Sequence, residues 1–225
     1  MSDTADTTTP SVDPRVLLVD DHDLFRTGLR NLLEEQGVHV VGEADNGTDA
    51  LRLVREVAPD VVVMDLNMPG ISGVEATRQI SMIAPLTRVL VLTISDQDAD
   101  VMDAIMAGAC GYLLKDAAIS DLMRGIRSAA IGESLVSPTI AAKVLQRMRA
   151  TSASRHDAEL IESELSSREI EVLKLIANGK DNAQIAADLH ISPKTVKNHI
   201  SNILMKLQIQ NRIQAAVYAV RSGIV

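Results

Sequence analysis

The chain has 225 residues, with 22 Lys and Arg against 30 Asp and Glu, a formal net charge of -8 and 46% apolar residues. Wholesale disorder is excluded, and on average charge alone a nucleic-acid binder is disfavoured. Two Tyr, one Phe and no Trp give little material for an aromatic stacking platform, and the single Cys110 excludes an internal disulfide or a thiolate metal cluster. Residues 1–14 are polar and acidic and carry neither a signal-peptide pattern nor a membrane span. They read as a flexible tail on a cytoplasmic protein.

From residue 15 to about 131 a short apolar run, a polar turn and a segment of helical period repeat five times. The runs cover 16–19, 38–42, 61–64, 89–92 and 110–114, rich in Val and Leu, as strands buried on both faces of a parallel sheet require. Helical segments fall at 24–36, 48–57, 73–83, 99–107 and 118–131. The alternation predicts a doubly wound α/β domain over residues 15–133 with a five-stranded parallel sheet. Strand character then stops. Residues 134–163 read as a linker with a connecting helix over 138–149.

Residues 164–225 have only short helical patterns, a small all-α domain. The first helix, over 165–177, opens on Ser166-Ser167-Arg168-Glu169, a capping box. The second follows Asp181 and runs to Leu189, and the third opens on Ser192-Pro193, an N-cap followed by Pro at the first helical position. The last, 212–221, ends before Gly223.

In a parallel α/β sheet the ligand crevice lies beyond the carboxyl ends of the strands, where strand order reverses. Asp20 and Asp21 follow the first strand and Asp65 the third, so three carboxylates converge there. Such a cluster needs a cation among it, and hard oxygen ligands suggest Mg2+. Thr93 and Lys115, after the fourth and fifth strands, bring a hydroxyl and an ammonium to the same edge. The set suits a phosphoryl group carried on a carboxylate.

Asp20-Asp21, Asp65-Leu-Asn-Met-Pro-Gly, Thr93 and Gly111-Tyr112-Leu-Leu-Lys115-Asp116, in that order at strand ends, resemble the flavodoxin-like receiver domain of bacterial two-component response regulators. The resemblance implies that Asp65 is the phosphoacceptor. Asp21 would bind Mg2+ directly, Asp20 through water, and Asn67 through its backbone carbonyl. Thr93 and Tyr112 would be the switch pair. Taken alone, Asp21 reads better as a helix cap than as a metal ligand, and His22 as a residue at the mouth of the site or a cap; five ordered positions do not reduce to that. Two positions depart from the common pattern: Asp116 stands where many receivers have Pro, as in the NarL/FixJ branch, and Ile94 stands where a small residue is common. A β-branched side chain there restricts access to the pocket, which predicts slow phosphotransfer from small donors and a long-lived phosphoaspartate.

In the third helix of the C-terminal domain, Val196, Ile200, Ile203, Leu204 and Leu207 form one apolar stripe, leaving Lys194, Lys197, Asn198 and Ser201 on the opposite face. A Lys/Asn/Ser face near a helix N-terminus, after a tight turn, suits a major groove. Leu165-Ser-Ser-Arg168-Glu169-Ile-Glu171-Val-Leu, Gly179, Asn182-Ala-Gln-Ile185-Ala186, Thr195-Val196-Lys197-Asn198-His199, Lys206-Leu207 and Arg212 resemble the LuxR-type DNA-binding domain. The resemblance implies that Lys197 and Asn198 approach bases, that Thr195, His199 and Lys206 approach the DNA backbone, and that the last helix around Val217 helps dimerise. Ala183 and Ser201 stand where family members carry basic residues, so fewer phosphate contacts are expected.

Together the halves resemble a NarL/FixJ-type response regulator, a phosphoacceptor regulator rather than an enzyme. The resemblance implies a histidine kinase as phosphodonor, double-stranded promoter DNA as ligand, a homodimer on phosphorylation, RNA polymerase as a partner if the protein activates, and no membrane. An aspartyl-phosphate hydrolase would need an acid at position 67, where Asn67 cannot protonate a leaving group. The net charge also divides: -12 over residues 1–133, +1 over 134–163 and +3 over 164–225.

Overall fold

A computed structural model describes residues 13–95, 97–133, 135–136 and 165–225. Five parallel strands, β1 (Arg15–Val19), β2 (His39–Ala44), β3 (Val61–Met64), β4 (Arg88–Thr93) and β5 (Gly111–Leu114), alternate with α1 (Asp23–Glu35), α2 (Gly47–Val57), α3 (Gly73–Ile83), α4 (Asp98–Ala107) and α5 (Ile119–Ala130). The doubly wound, five-stranded parallel sheet is therefore present. It is extended by a two-residue strand, β6 (Leu135–Val136), paired parallel to β5, so the order is β2-β1-β3-β4-β5-β6. Strand character thus does not stop after β5: β6 lies inside the stretch read as linker, and at two residues it is too short to leave a period in the sequence. The connecting helix expected over 138–149 lies outside the described residues.

The strands bury both faces, as their composition requires. On one face Val16, Leu18, Val61, Val63, Leu90 and Leu92 pack with Leu29 and Leu33 of α1 and Leu122 and Ile126 of α5. On the other, Leu17, Val19, Val62, Met64 and Val89 pack with Ala50 and Val54 of α2 and Ala76 and Ile80 of α3. Successive residues of β1 alternate between the two cores, the period-two signature of a strand. Strand order reverses at β1, whose neighbours are β2 and β3, which places the crevice over the ends of β1 and β3.

Beyond the undescribed stretch lie four helices, α6 (Ser167–Ala177), α7 (Asn182–Leu189), α8 (Pro193–Lys206) and α9 (Arg212–Arg221). Val172, Leu173, Ile176, Ile185, Val196, Ile200, Ile203, Ala215 and Ala219 make their shared core. His190, in the left-handed region at φ 53°, ends α7, and the Ser192 hydroxyl caps α8 by accepting from the Thr195 N–H. This all-α unit docks on the α/β unit: Ile213 and Val217 of α9 join Val91, Val101, Ala104, Ile105 and Tyr112 in one apolar cluster.

Candidate functional site

Parallel pairing of β1 with β3 sets Val19 beside Met64, so the residues that follow, Asp20 and Asp65, emerge side by side. Both are buried, 5% and 1% exposed. Backbone bonds fix them there: the Asp20 N–H donates to Ala44 O at 3.0 Å and the Asp65 N–H to Val19 O at 2.9 Å. Close approach does the rest. A Cβ on Gly73, in the first turn of α3, would sit 1.9 Å from the Asp65 carbonyl oxygen, so only glycine lets α3 pack against the acidic edge.

Lys115, one residue beyond β5, answers the charge. Its Nζ lies 2.7 Å from Oδ2 of Asp20 and 2.7 Å from Oδ2 of Asp65. It also sits 4.8 Å from the centre of the Phe25 ring. Burial works against its ammonium form, but the hydrogen bonds it donates to the Asp20 and Asp65 carboxylates outweigh that and hold its pKa above the ordinary lysine value.

Carboxylate and imidazole atoms of Asp20, Asp21, His22 and Asp65 lie within 4.8 Å of one another, a set able to hold a metal ion. Oδ1 of Asp21 is buried and accepts no hydrogen bond, although the His22 Nδ1 lies 2.9 Å away. A hard cation suits that oxygen. Asn67 is exposed, and its N–H donates to Asp65 Oδ1 at 3.4 Å. His22 occupies the N-cap position of α1 but makes no side-chain cap, and its side chain is largely exposed at the mouth.

Arg26, which the sequence patterns did not single out, closes the inner wall. Its guanidinium donates to Asp20 O at 2.5 Å, to Glu43 Oε2 at 3.1 Å and to Asp23 Oδ1 at 2.7 Å, and it lines a small cleft with Asp20 and Asp65. An Arg at helical spacing reads as a solvated residue; only the juxtaposition of α1 with β2 shows otherwise.

Thr93 is fully buried at the end of β4, and its hydroxyl oxygen accepts from the Ser95 N–H at 3.4 Å. Tyr112 is also fully buried, with its hydroxyl donating to Ser95 O at 2.8 Å. Both switch candidates therefore contact the same residue between β4 and α4. Ile94, between them in sequence, is 74% exposed.

In the second unit, Val196, Ile200 and Ile203 are buried while Lys194, Lys197, Asn198 and Ser201 share the exposed face of α8. Thr195 and His199 are half-buried at its flanks, Thr195 hydrogen-bonded to the Ser192 hydroxyl. Lys206 is placed differently: its Nζ lies 2.7 Å from Oε2 of buried Glu169. Lys197 reaches back to the first unit, donating to Ile131 O at 2.5 Å.

Known proteins carry the same two parts. Residues 16–127 match the response regulator receiver domain family and residues 163–219 the luxR family of bacterial regulatory proteins. The transcriptional regulatory protein LiaR of Bacillus subtilis (strain 168) is 45% identical over 214 residues, covering 94% of this chain and 99% of LiaR. This chain is a LuxR-family response regulator. Among solved structures, the response regulator ChrA of a heme-sensing two-component system is 37% identical with a TM-score of 0.52, over 95% of this chain and 99% of that one. A structure of two RcsB dimers bound to two parallel DNAs is 26% identical with a TM-score of 0.55, over 93% and 98% of the two chains. The response regulator thus pairs a receiver with a LuxR-type DNA-binding domain. Among the described residues no helix is long and apolar enough to cross a membrane.

Proposed function

We propose that this response regulator accepts a phosphoryl group on Asp65 from a histidine kinase and in response frees α8 to read promoter DNA as a dimer. The observation that carries the reading is Lys115, held 2.7 Å from both Asp20 and Asp65, in an acidic cluster where Asp21 Oδ1 accepts no hydrogen bond and faces only the His22 Nδ1 at 2.9 Å. An Asp65 carboxylate oxygen attacks the phosphorus of the kinase phosphohistidine, the N–P bond breaks, and the released imidazole takes a proton from solvent. Asp20, Asp21, Asp65 and the Asn67 carbonyl would hold Mg2+, which supplies neutralisation of the phosphoryl oxygens when bound. Lys115 then exchanges a carboxylate oxygen for a phosphoryl oxygen, and the Thr93 hydroxyl turns from the Ser95 N–H to donate to another.

That turn removes an acceptor from Ser95, the residue whose carbonyl also holds Tyr112, and so loosens the connection that leads into α4, the helix against which α9 is docked. Release of the docked unit frees Lys197 from Ile131 O. On the exposed face of α8, Lys197 and Asn198 then meet base edges, Lys194 and Ser201 lie beside them, Thr195 and His199 flank the phosphates, and Lys206 reaches the backbone only by leaving Glu169. The Val217 face of α9, buried here against the receiver, becomes available to a second copy. The protein works in the cytoplasm, and as an activator it would contact RNA polymerase.

The deciding experiment is mass spectrometry after incubation with each of the host's phosphorylated histidine kinases and Mg2+, because Ile94 is expected to slow transfer from small donors. We expect one added phosphoryl group on Asp65, lost in Asp65→Asn and on chelation. Unmodified wild type, with DNA binding equal to that of Asp65→Asn, would instead establish a phosphorylation-independent regulator.

A further inference from the structure

The docking surface holds two buried primary amides whose partners lie across the domain boundary. Asn211 and Gln214, at the start of α9, are 4% and 7% exposed. Asn211 Nδ2 donates to Ala109 O at 2.9 Å and Ile105 O at 3.4 Å; Gln214 Nε2 donates to Ile105 O at 2.8 Å and Met106 O at 3.4 Å. The Ile105 and Met106 carbonyls lie in the last turn of α4, where helix carbonyls lack their full set of intrahelical donors, and the Ala109 carbonyl lies two residues beyond its end. Gly108, at φ 113°, closes the helix with the Ala109 N–H on Ala104 O and its own N–H on Ile105 O, and the Ser81 hydroxyl takes Ala107 O. The last turn of α4 has no basic side chain of its own to meet the rest.

We infer that Asn211 and Gln214 form the latch by which the DNA-binding domain reads the position of α4. The inference deepens the proposed function and rests on its phosphorylation reading for the signal that moves α4. One end of α4 follows Ser95, which both Thr93 and Tyr112 contact, and the other end is gripped by the two amides. Apolar contacts of Ile213 and Val217 tolerate a small slide, because dispersion is non-directional; the amide bonds do not. A shifted α4 leaves two buried donors without acceptors, so the interface opens as a unit rather than adjusting. Each amide is also anchored from behind by its oxygen, which fixes where its N–H groups point: Asn211 Oδ1 accepts from Gln214 N at 2.8 Å, and Gln214 Oε1 accepts from Gln210 N at 2.8 Å.

That arrangement defines a test. Asn211→Asp with Gln214→Glu keeps both anchoring oxygens, and so the cap of α9, while turning each donor into an oxygen facing a carbonyl. Gln214→Met removes one donor without adding charge. In the full chain, without phosphodonor, hydrogen exchange of the segment 104–109 should rise about tenfold in the double variant, the effect of losing roughly one hydrogen bond of stability, and less in Gln214→Met. The radius of gyration by small-angle scattering should increase, with unchanged helical circular dichroism. Folded variants with wild-type exchange and radius would overturn the latch. Wild type treated with beryllofluoride and Mg2+ provides the separate arm: increased exchange there supports the phosphorylation signal, whereas no change defeats that signal while the donor-free variants still decide the latch.

Discussion

Lys115 is a half-buried cation whose two partners are buried, with 11% of its side chain exposed against 8% for Asp20 and 2% for Asp65. Removing one member of such a set strands the others, and the cost is several-fold that of a surface pair. Lys115→Met should therefore lower receiver stability by about 3 kcal/mol in EDTA, and Mg2+ should recover part of it. Chemical denaturation with and without the metal checks this; equal stability of variant and wild type in EDTA would mean that water screens the site. Ile94 is a different case, since it follows buried Thr93 in the chain but is itself 74% exposed and lies outside the packing. Ile94→Ala should leave stability within about 0.5 kcal/mol and shorten the lifetime of the phosphoaspartate, followed by phosphate release after the donor is removed. An unchanged lifetime would remove Ile94 from the account of access. The acidic residues, Thr93 and Lys115 were legible because strand ends in a parallel sheet share one edge, so position in the chain fixes position in the site. Arg26 was not, because its contacts with Glu43 and the Asp20 carbonyl join separate elements through a flexible side chain that no period predicts.

The α6 capping box is visible in sequence, but what surrounds it is not. Oε2 of Glu169 accepts from the Ser166 N–H at 2.8 Å and from Lys206 Nζ, which arrives from the far end of α8. Burial opposes the ionised carboxylate, yet the Lys206 ammonium and the Ser166 donors outweigh it, so the Glu169 pKa lies below the ordinary glutamate value. A lowered acid pKa stabilises the fold above the unfolded value of about 4.3, and this contribution is lost as pH falls through the folded value. Acid unfolding of the wild type should accordingly steepen below about pH 4.3, and Glu169→Gln should flatten that limb; identical profiles would exclude Glu169 as its source. Lys206 is over a third exposed, so Lys206→Met should destabilise by only about 1 kcal/mol, which thermal melting would detect without any DNA present. Residue types in order do not reveal that pair, because folding must first close a 37-residue separation. Helices with a clear apolar stripe, such as α8, carry their own evidence; β6 and the amides of α9 acquire meaning only from a partner element.

Across the whole molecule the charge of -8 resolves into an acidic receiver and a DNA-binding domain of net +3, so the average concealed the reader. The described contacts between them are nonetheless short-range and mostly neutral: the two amides on α4, the apolar face of α9, and Asn182 Nδ2 on Glu133 Oε1 at 3.0 Å. Opposite charge favours the approach of the two domains, while directional bonds define the docked state. Lys197 is held by Ile131 O in the docked state, and in the proposed mechanism it is offered to the groove on release. Its substitution should therefore act in two directions. In unphosphorylated protein Lys197→Ala weakens docking, whereas in phosphorylated protein it removes a reader of base edges. If Lys197 reads bases, discrimination between a selected duplex and its single-base variants should fall by about 1–3 kcal/mol at one position, with the salt dependence of binding unchanged. Lys194→Ala, at the exposed start of α8, should leave discrimination intact and reduce the slope of log affinity against log salt by about 0.9. A titration of both variants against salt concentration separates the roles, and a reduced slope for Lys197→Ala with discrimination retained would reassign it to the phosphate backbone.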